Sequence, residues 1–318
     1  MSGLKIKQEW MQKTVVVWFG ALLCCLLWGS AFPCIKIGYR LFEVDAADTA
    51  SQILFAGCRF TLAGILAAGI GSVMEGRFLR PERKAAKEII WLSLLQTIIQ
   101  YFFFYMGLAH TSGVKASIIE AVNVFIAILV VGFLFHQEKI TSRKIIGCVL
   151  GFAGVVVINL LGNSLDMGFK LIGEGFVLIA QLSYGISTVL INLFSRKVSP
   201  VVLSGTQFTM GGIVLMLIGA GMGGHLENVT TGGVVIIFYL AMVSAVAYTL
   251  WGILLQQNPV SSVTIYGFTI QIFGVLLSAV FLGEWEQIRF STLLALLFVC
   301  LGIFLVNRPT SFFQKKKQ

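Results

Sequence analysis

The stretch Lys115–Glu138, KASIIEAVNVFIAILVVGFLFHQE, is apolar over a length that crosses a bilayer as a helix, yet it carries a glutamate, Glu120, near its start. At roughly 1.5 Å rise per residue the carboxyl lies on the order of 10 Å below the surface where the helix enters. A charged side chain at that depth is costly, which makes an intramembrane acid a functional candidate. A near-echo, SVTIYGFTIQIFGVLLSAVFLGE, occupies Ser262–Glu284. Two such segments make the bilayer, rather than a soluble core, the organising unit of the chain.

Composition extends that reading to the whole protein. Of 318 residues, 57% are hydrophobic and 12% charged, against about 25% charged in a soluble domain. With about 20 apolar residues per span, the expected fold is an all-α membrane protein of ten transmembrane helices. They fall at Val15–Gly38, Gln52–Met74, Ile89–Ala109, Gly113–Phe135, Lys144–Leu161, Leu171–Phe194, Val201–Met222, Gly233–Leu255, Val260–Leu282 and Phe290–Val306. The apolar run after Lys13 continues through Trp28 and Phe32 without a small-residue cleavage site, so it is expected to be an uncleaved first span. All six cysteines lie in apolar runs without metal-ligand spacing and are expected to pack as small apolar groups.

Basic residues set the orientation. With a cytoplasmic N-terminus, 17 of the 23 Lys and Arg fall in cytoplasmic segments, and the opposite side holds Arg40, Lys170 and Arg289 beside the acidic Glu43, Asp45 and Asp48. The positive-inside rule therefore expects both termini in the cytoplasm of a plasma (bacterial inner) membrane. The net charge of +9 is read as a topology signal and a contact with anionic head groups, not as a nucleic-acid surface.

The chain repeats itself. GCRFTLAG (Gly57–Gly64) matches GTQFTMGG (Gly205–Gly212) at an offset of 148, Trp28-Gly29 matches Tyr184-Gly185 at 156, and Glu138 matches Glu284 at 146. GVVVIN (Gly154–Asn159) and GIFLVN (Gly302–Asn307) align at 148. Five spans per half is an odd number, so the halves, 15–160 and 171–307, are expected to be inverted relative to one another. Inverted repeats are a carrier architecture with the site near the midplane.

WGSAFPCIK (Trp28–Lys36), RFTLAG in the second span and QIFGVLLSAVFLGE (Gln271–Glu284) resemble the EamA-type drug/metabolite transporters. The resemblance implies ten helices in two inverted five-helix repeats, cytoplasmic termini and carriage of small organic molecules. Where that family usually has proline, this chain has Gln271 and, in the same register of the first half, Phe125. The sequence signal for a helix break is therefore missing.

Helical spacing collects polar groups into stripes that should point into the bundle. Gln181, Tyr184, Gly185, Thr188 and Asn192 form one, and its repeat mate is Cys25, Trp28, Gly29, Phe32 and Lys36. Ser93, Gln96, Gln100 and Gly107 form another, with Tyr101 and Tyr105 on nearby faces, and Ala116, Glu120, Asn123 and Ala127 a fourth. Trp28, Lys36, Gln96, Gln100, Glu120, Asn123, Gln181, Tyr184 and Thr188 are the candidate substrate-binding residues; interhelical hydrogen bonding is the alternative use of such groups. Glu120 has Tyr266 as its mate, so the fold's symmetry does not demand a carboxylate there. It is a candidate to carry a proton, to bind a substrate amine, or to be held in an ion pair by Arg59 or Lys115. The basic excess in the outer half leaves room for a substrate carboxylate as well, as in an amino acid. Arg59, Glu138 and Glu284 are expected to be structural or gating residues, and the Gly147/Gly151 spacing to allow close helix approach.

A secondary transporter working by alternating access, with export as the expected direction, accounts for these features. An enzyme is not expected, because His110, His136 and His225 stand at span ends without a catalytic or metal-binding pattern, and neither cofactor nor metal is implied. A non-transporting membrane subunit would not need polar stripes in both halves. Substrate, coupling ion (protons are the candidate) and oligomeric state stay open.

Overall fold

The computed structural model describes residues 10–45, 47–108, 110–111, 116, 119–160, 170–283, 285 and 290–307. Among them every regular element is helical. The rods are α1 (Thr14–Leu41), α2 (Thr49–Glu75), α3 (Arg83–Leu108), α4 (Val122–Leu134), α5 (Ser142–Leu160), α6 (Leu171–Phe194), α7 (Pro200–Gly221), α8 (Thr231–Gln257), α9 (Val260–Leu282) and α10 (Phe290–Asn307). Seven of them, α1–α3 and α6–α9, are long and apolar enough to cross a membrane.

The helix ends follow local chemistry. Asp48 accepts from the Ser51 amide at 3.0 Å and Thr230 Oγ1 from the Gly233 amide at 3.1 Å, capping α2 and α8. Pro200 opens α7, where a missing N–H leaves no intrahelical bond unmade. Gly76 (φ 63°) ends α2 in the left-handed region that glycine enters without a Cβ clash.

Two pairs of helices approach most closely, and the repeated motifs make them do so. In α2 against α7, a Cβ on Gly57 would stand 2.9 Å from the Gly212 carbonyl oxygen, and one on Gly64 2.5 Å from that of Gly205. The glycines of GCRFTLAG thus meet those of GTQFTMGG, so the motif packs against its own copy. In α5 against α10, a Cβ on Gly147 would lie 2.8 Å from the Gly302 carbonyl, as the glycine spacing in α5 predicts.

The remaining contacts come in matched sets. α1 packs on α8 and α9, while α6 packs on α3 and α4; α2 packs on α8, while α7 packs on α3. Exchanging the first five rods for the last five reproduces this list. Even a single glycine obeys it: Gly29 of α1 abuts Phe273 and Gly274 of α9, and Gly185 of α6 abuts Ile126 and Ala127 of α4.

Candidate substrate site

α4 and α9 lose regular α-helical winding at the same register although neither contains a proline. In α9 the residues Ile265–Phe268 form a 3₁₀ turn, and on the other side Ala121 is a turn residue ahead of Val122–Leu129. Side chains bond the backbone carbonyls at both points. Asn123 Nδ2 donates to the Glu120 carbonyl at 2.6 Å, and Thr269 Oγ1 to the Tyr266 carbonyl at 2.7 Å. The Cys25 thiol also donates to the Tyr266 carbonyl, at 3.3 Å.

Glu120 is placed at this irregular point. Its carboxylate accepts from Gln271 Nε2 of α9 at 3.3 Å, and Asn123 reaches Gln181 Oε1 of α6 at 3.4 Å. Glu120, Asn123, Gln181 and Gln271 therefore join α4, α6 and α9. Tyr184 and Tyr248 both lie within electrostatic reach of Glu120.

Beside them stands an aromatic cluster. The Tyr101 and Tyr248 hydroxyls meet at 2.7 Å, 147 residues apart, which is within the range of the repeat offsets. Trp28 packs edge-on against Tyr248 and Trp251, with ring centroids 4.9 and 5.0 Å away. Phe60 stacks on Phe208 at 5.3 Å and lies against Tyr101 at 4.3 Å. The Trp28 indole N–H is buried without a hydrogen-bond partner.

The other predicted residues divide. Thr188 is buried, with its hydroxyl turned back to the Tyr184 carbonyl at 3.0 Å. Gln96 Oε1 accepts from Gln207 Nε2 at 3.0 Å, leaving its own Nε2 without a partner; Gln100 Oε1 is likewise unpartnered and buried. A π-helical stretch, Ser93–Ile99, turns Ser93, Gln96 and Thr97 onto α7.

One expectation needs correction, and Lys36 is simply exposed where Cys25 and Gly29 of its stripe are buried. An ammonium on a four-carbon stem can keep its charge solvated near a helix end. Arg59 does not pair with Glu120, and no carboxylate among the described residues lies within ion-pair distance of it. Its guanidinium sits over the Phe60 ring, 4.5 Å from the centroid, and is 4% exposed. Lys115 and Glu284 lie outside the described residues.

At one end of the bundle Glu138 makes a compact junction. Oε2 pairs with Lys144 Nζ at 2.6 Å and accepts from Ser261 Oγ, while Oε1 accepts from the Ser261 amide at 3.3 Å. The carboxylate thus caps α9 from the loop after α4 and holds the start of α5. It borders a cleft of roughly 320 Å³, lined also by Asn192, Arg196, Gln256 and Asn258. Asn192 donates to the Leu255 carbonyl and Gln256 to that of Ser195, tying α6 to α8.

Sequence reasoning passed over Gln207, Tyr248 and the buried Glu174, which accepts from Thr111 Oγ1 at 2.7 Å and the Lys170 amide at 2.6 Å. Gln207 stood in plain view inside GTQFTMGG as the mate of Arg59. No three His, Cys, Asp or Glu among the described residues are grouped to hold a metal.

Comparison with known proteins fits this architecture. The EamA-like transporter family matches residues 16–160 and 171–308. An uncharacterized transporter of Archaeoglobus fulgidus is 25% identical over 296 residues, covering 92% of this chain and 98% of its own. The uncharacterized transporter YvbV of Bacillus subtilis is 26% identical over 289 residues, 89% of this chain and 88% of its own. A chloroplastic WAT1-related protein of Arabidopsis thaliana is 25% identical over 308 residues, 93% of this chain and 70% of its own. A solved crystal structure superposes with a TM-score of 0.75 at 14% identity, covering 92% of this chain and 96% of that one, which establishes the shared fold. With its apolar helices and a family match running nearly end to end, the chain is a multi-pass membrane protein and belongs to the EamA-like transporter family.

Proposed function

We propose that the protein is a secondary carrier that exports small organic metabolites, such as amino acids, amines or related compounds, by alternating access. Its ten helices form two inverted five-helix repeats, 15–160 and 171–307, with both termini on the cytoplasmic side of the plasma membrane. The matched packing of α1 on α8 and α9 with that of α6 on α3 and α4 supports the inverted repeat. The two halves then rock about the α4 and α9 irregularities, exposing the Glu120 region to each side in turn.

The observation that carries this reading is Glu120 itself: a carboxyl between helices of both halves, held among the described residues by an amide, Gln271, and not by a cation. Such a group can exchange a proton or an amine as the cavity changes sides. Trp28, Gln100, Asn123, Gln181 and Tyr184 then provide the walls and hydrogen bonds around it, with Gln96 and Thr188 supporting them from α3 and α6. Glu138 acts at one end of the bundle, where the halves must part, and Glu284, its mate in the sequence, shares that gating role.

The test is flux in proteoliposomes containing only this protein, over a panel of amino acids, amines, carboxylates and nucleosides, with an imposed pH gradient. Saturable flux that runs uphill at the expense of the gradient is expected. Absence of flux across the panel by well-folded protein would remove the carrier reading.

A further inference from the structure

Arg59 and Gln207 occupy the same position of the repeated motif, GCRFTLAG and GTQFTMGG, yet their surroundings differ. Gln207 is satisfied: its Nε2 donates to Gln96 Oε1 at 3.0 Å and its Oε1 accepts from Thr97 Oγ1 at 2.7 Å, both groups on α3. The matching neighbour of Arg59 is α8, because α2 packs on α8 as α7 packs on α3. At the 147-residue spacing that separates Tyr101 from Tyr248, Gln96 and Thr97 correspond to Val243 and Ser244. One amide partner has become a valine, and the hydroxyl of Ser244 is itself buried without a partner.

Arg59 consequently keeps a buried charge that no carboxylate among the described residues neutralises. It is 4% exposed, and its Nε and Nη1 have no hydrogen-bond acceptor. Phe60 supports one face of the guanidinium at 4.5 Å, and Tyr39, Tyr101 and Tyr248 lie within its electrostatic reach. An uncompensated buried cation is strongly destabilising, so a structure that retains one needs an anion to meet it. Other buried groups of the bundle strengthen the case. Trp28 Nε1, Trp251 Nε1 and Gln96 Nε2 are buried N–H donors without acceptors, against two unpartnered acceptor oxygens, Gln100 Oε1 and Glu88 Oε2. A surplus of donors is complementary to an acceptor-only group.

We infer that Arg59 is the docking point for the carboxylate of the transported solute, bound through the free Nε–H and Nη–H edge of the guanidinium. That edge matches a carboxylate in a two-bond geometry that an ammonium cannot reproduce. Tyr248 is within electrostatic reach of both Arg59 and Glu120, so a solute whose carboxylate sits on Arg59 extends along the tyrosines toward Glu120. The inference rests on the carrier reading for the word transported, but the binding half of it stands alone.

Its test is binding to the purified full-length protein, followed by thermal shift and by calorimetry, with 3-phenylpropanoate, 3-phenylpropanamide and phenethylamine as probes at constant ionic strength. The carboxylate is expected to stabilise the wild type, and the isosteric amide to bind about tenfold or more weakly. Arg59→Gln should abolish the preference of carboxylate over amide, and Arg59→Lys should restore it only partly. Equal binding of carboxylate and amide by the wild type overturns the inference, and this comparison needs no variant to fold. Protection by chloride alone, with nothing added by the carboxylate, also overturns it, since the site would then take an inorganic anion. Flux in proteoliposomes separates the two readings. Arg59-dependent carboxylate binding without flux removes the carrier and keeps the site, while flux that is indifferent to Arg59→Gln and to the carboxylate removes the site and keeps the carrier.

Discussion

Asn123 holds the backbone of Glu120: its side-chain amide donates to the Glu120 carbonyl at 2.6 Å, three residues earlier in the chain. Thr269 does the same for Tyr266 at 2.7 Å, and both members of each pair differ by 146 residues, the offset that relates Glu138 to Glu284. Both stretches therefore use the same device, a side-chain donor at position i+3 that bonds a carbonyl where helical winding is interrupted. In a low-dielectric interior an unsatisfied carbonyl is costly, and the device makes the irregularity stable without proline.

Removing either donor should weaken the protein by about 1 kcal/mol, the usual net worth of one buried hydrogen bond. Asn123→Ala and Thr269→Val are expected to lower the thermal midpoint in detergent by similar amounts. Their effects on flux should differ, because Asn123 also reaches Gln181 at 3.4 Å and Thr269 has no such link to the Glu120 group. A Thr269→Val variant with flux as impaired as that of Asn123→Ala would show that the turn, rather than the polar group around Glu120, sets the rate.

The sequence made much of this legible, and the reason is periodicity. Apolar runs located the helices, and the duplicated GCRFTLAG and GTQFTMGG marked an internal repeat, while their packing against each other is seen only in the structure. What it could not supply was which way each long polar side chain turns. Gln96 and Thr188 share stripes with Gln100 and Tyr184, yet Gln96 is tied to Gln207 and Thr188 to its own helix. Lys36 lies on the stripe of Trp28 but is exposed where Cys25 and Gly29 are buried. Arg59 invited an ion pair on charge alone, whereas its neighbours turned out to be rings and hydroxyls. The helix interruption was invisible because its usual marker, proline, is replaced by side-chain hydrogen bonds.

The α2–α7 seam gives a steric prediction. Gly64→Ala places a methyl carbon 2.5 Å from the Gly205 carbonyl oxygen, which requires the two backbones to separate. Gly69 on the same helix has nothing within 4 Å of an added Cβ. Gly64→Ala should therefore lower the thermal midpoint and the yield of monodisperse protein, while Gly69→Ala should match or slightly exceed the wild type through its better helix propensity. Equal stability of the two variants would contradict the packing described.

Asp48 supplies a pH-dependent term outside the spans. Hydrogen bonds from the Ser51 hydroxyl and amide hold its carboxyl below the ordinary aspartate range. A value lowered in the folded state adds stability above the unfolded carboxyl's value of about 3.9, and that stability is lost as pH falls through the folded value. Because the group is solvent-accessible, the contribution is modest, about 0.5–1 kcal/mol. Wild type and Asp48→Ala should differ in thermal midpoint by a constant amount above pH 5, and the gap should close as the pH is lowered below 4. A gap that persists undiminished in acid would mean that the carboxylate is not what caps α2.

Glu138 and Lys144 form an ion pair with both side chains largely buried, 12% and 17% exposed. The two partners are not equivalent, because Glu138 also receives the Ser261 amide and hydroxyl. Glu138→Ala leaves a buried ammonium and two donors without an acceptor, and should cost about 3 kcal/mol. Lys144→Met leaves Glu138 two donors from Ser261 and should cost less. The double variant should recover part of the loss of Glu138→Ala, since the stranded ammonium is gone. Strict additivity in thermal or denaturant unfolding would show that the pair is not coupled.

Glu120 gives the functional prediction. Gln271 holds its carboxylate at 3.3 Å through an amide, which donates a hydrogen bond but brings no charge, so a proton or a cationic solute can still neutralise the acid. Glu120→Gln keeps the size and hydrogen-bonding capacity of the side chain and removes only the titration. If Glu120 carries the coupling proton, the variant should lose uphill accumulation under a pH gradient while keeping downhill exchange, and its exchange rate should become flat across the pH range where the wild type varies. Gln271→Leu keeps the acid itself and should leave a pH dependence in place. Full uphill transport by Glu120→Gln with an unchanged pH profile would remove Glu120 from the coupling step, and the carboxyl would then be left with the substrate amine as its partner.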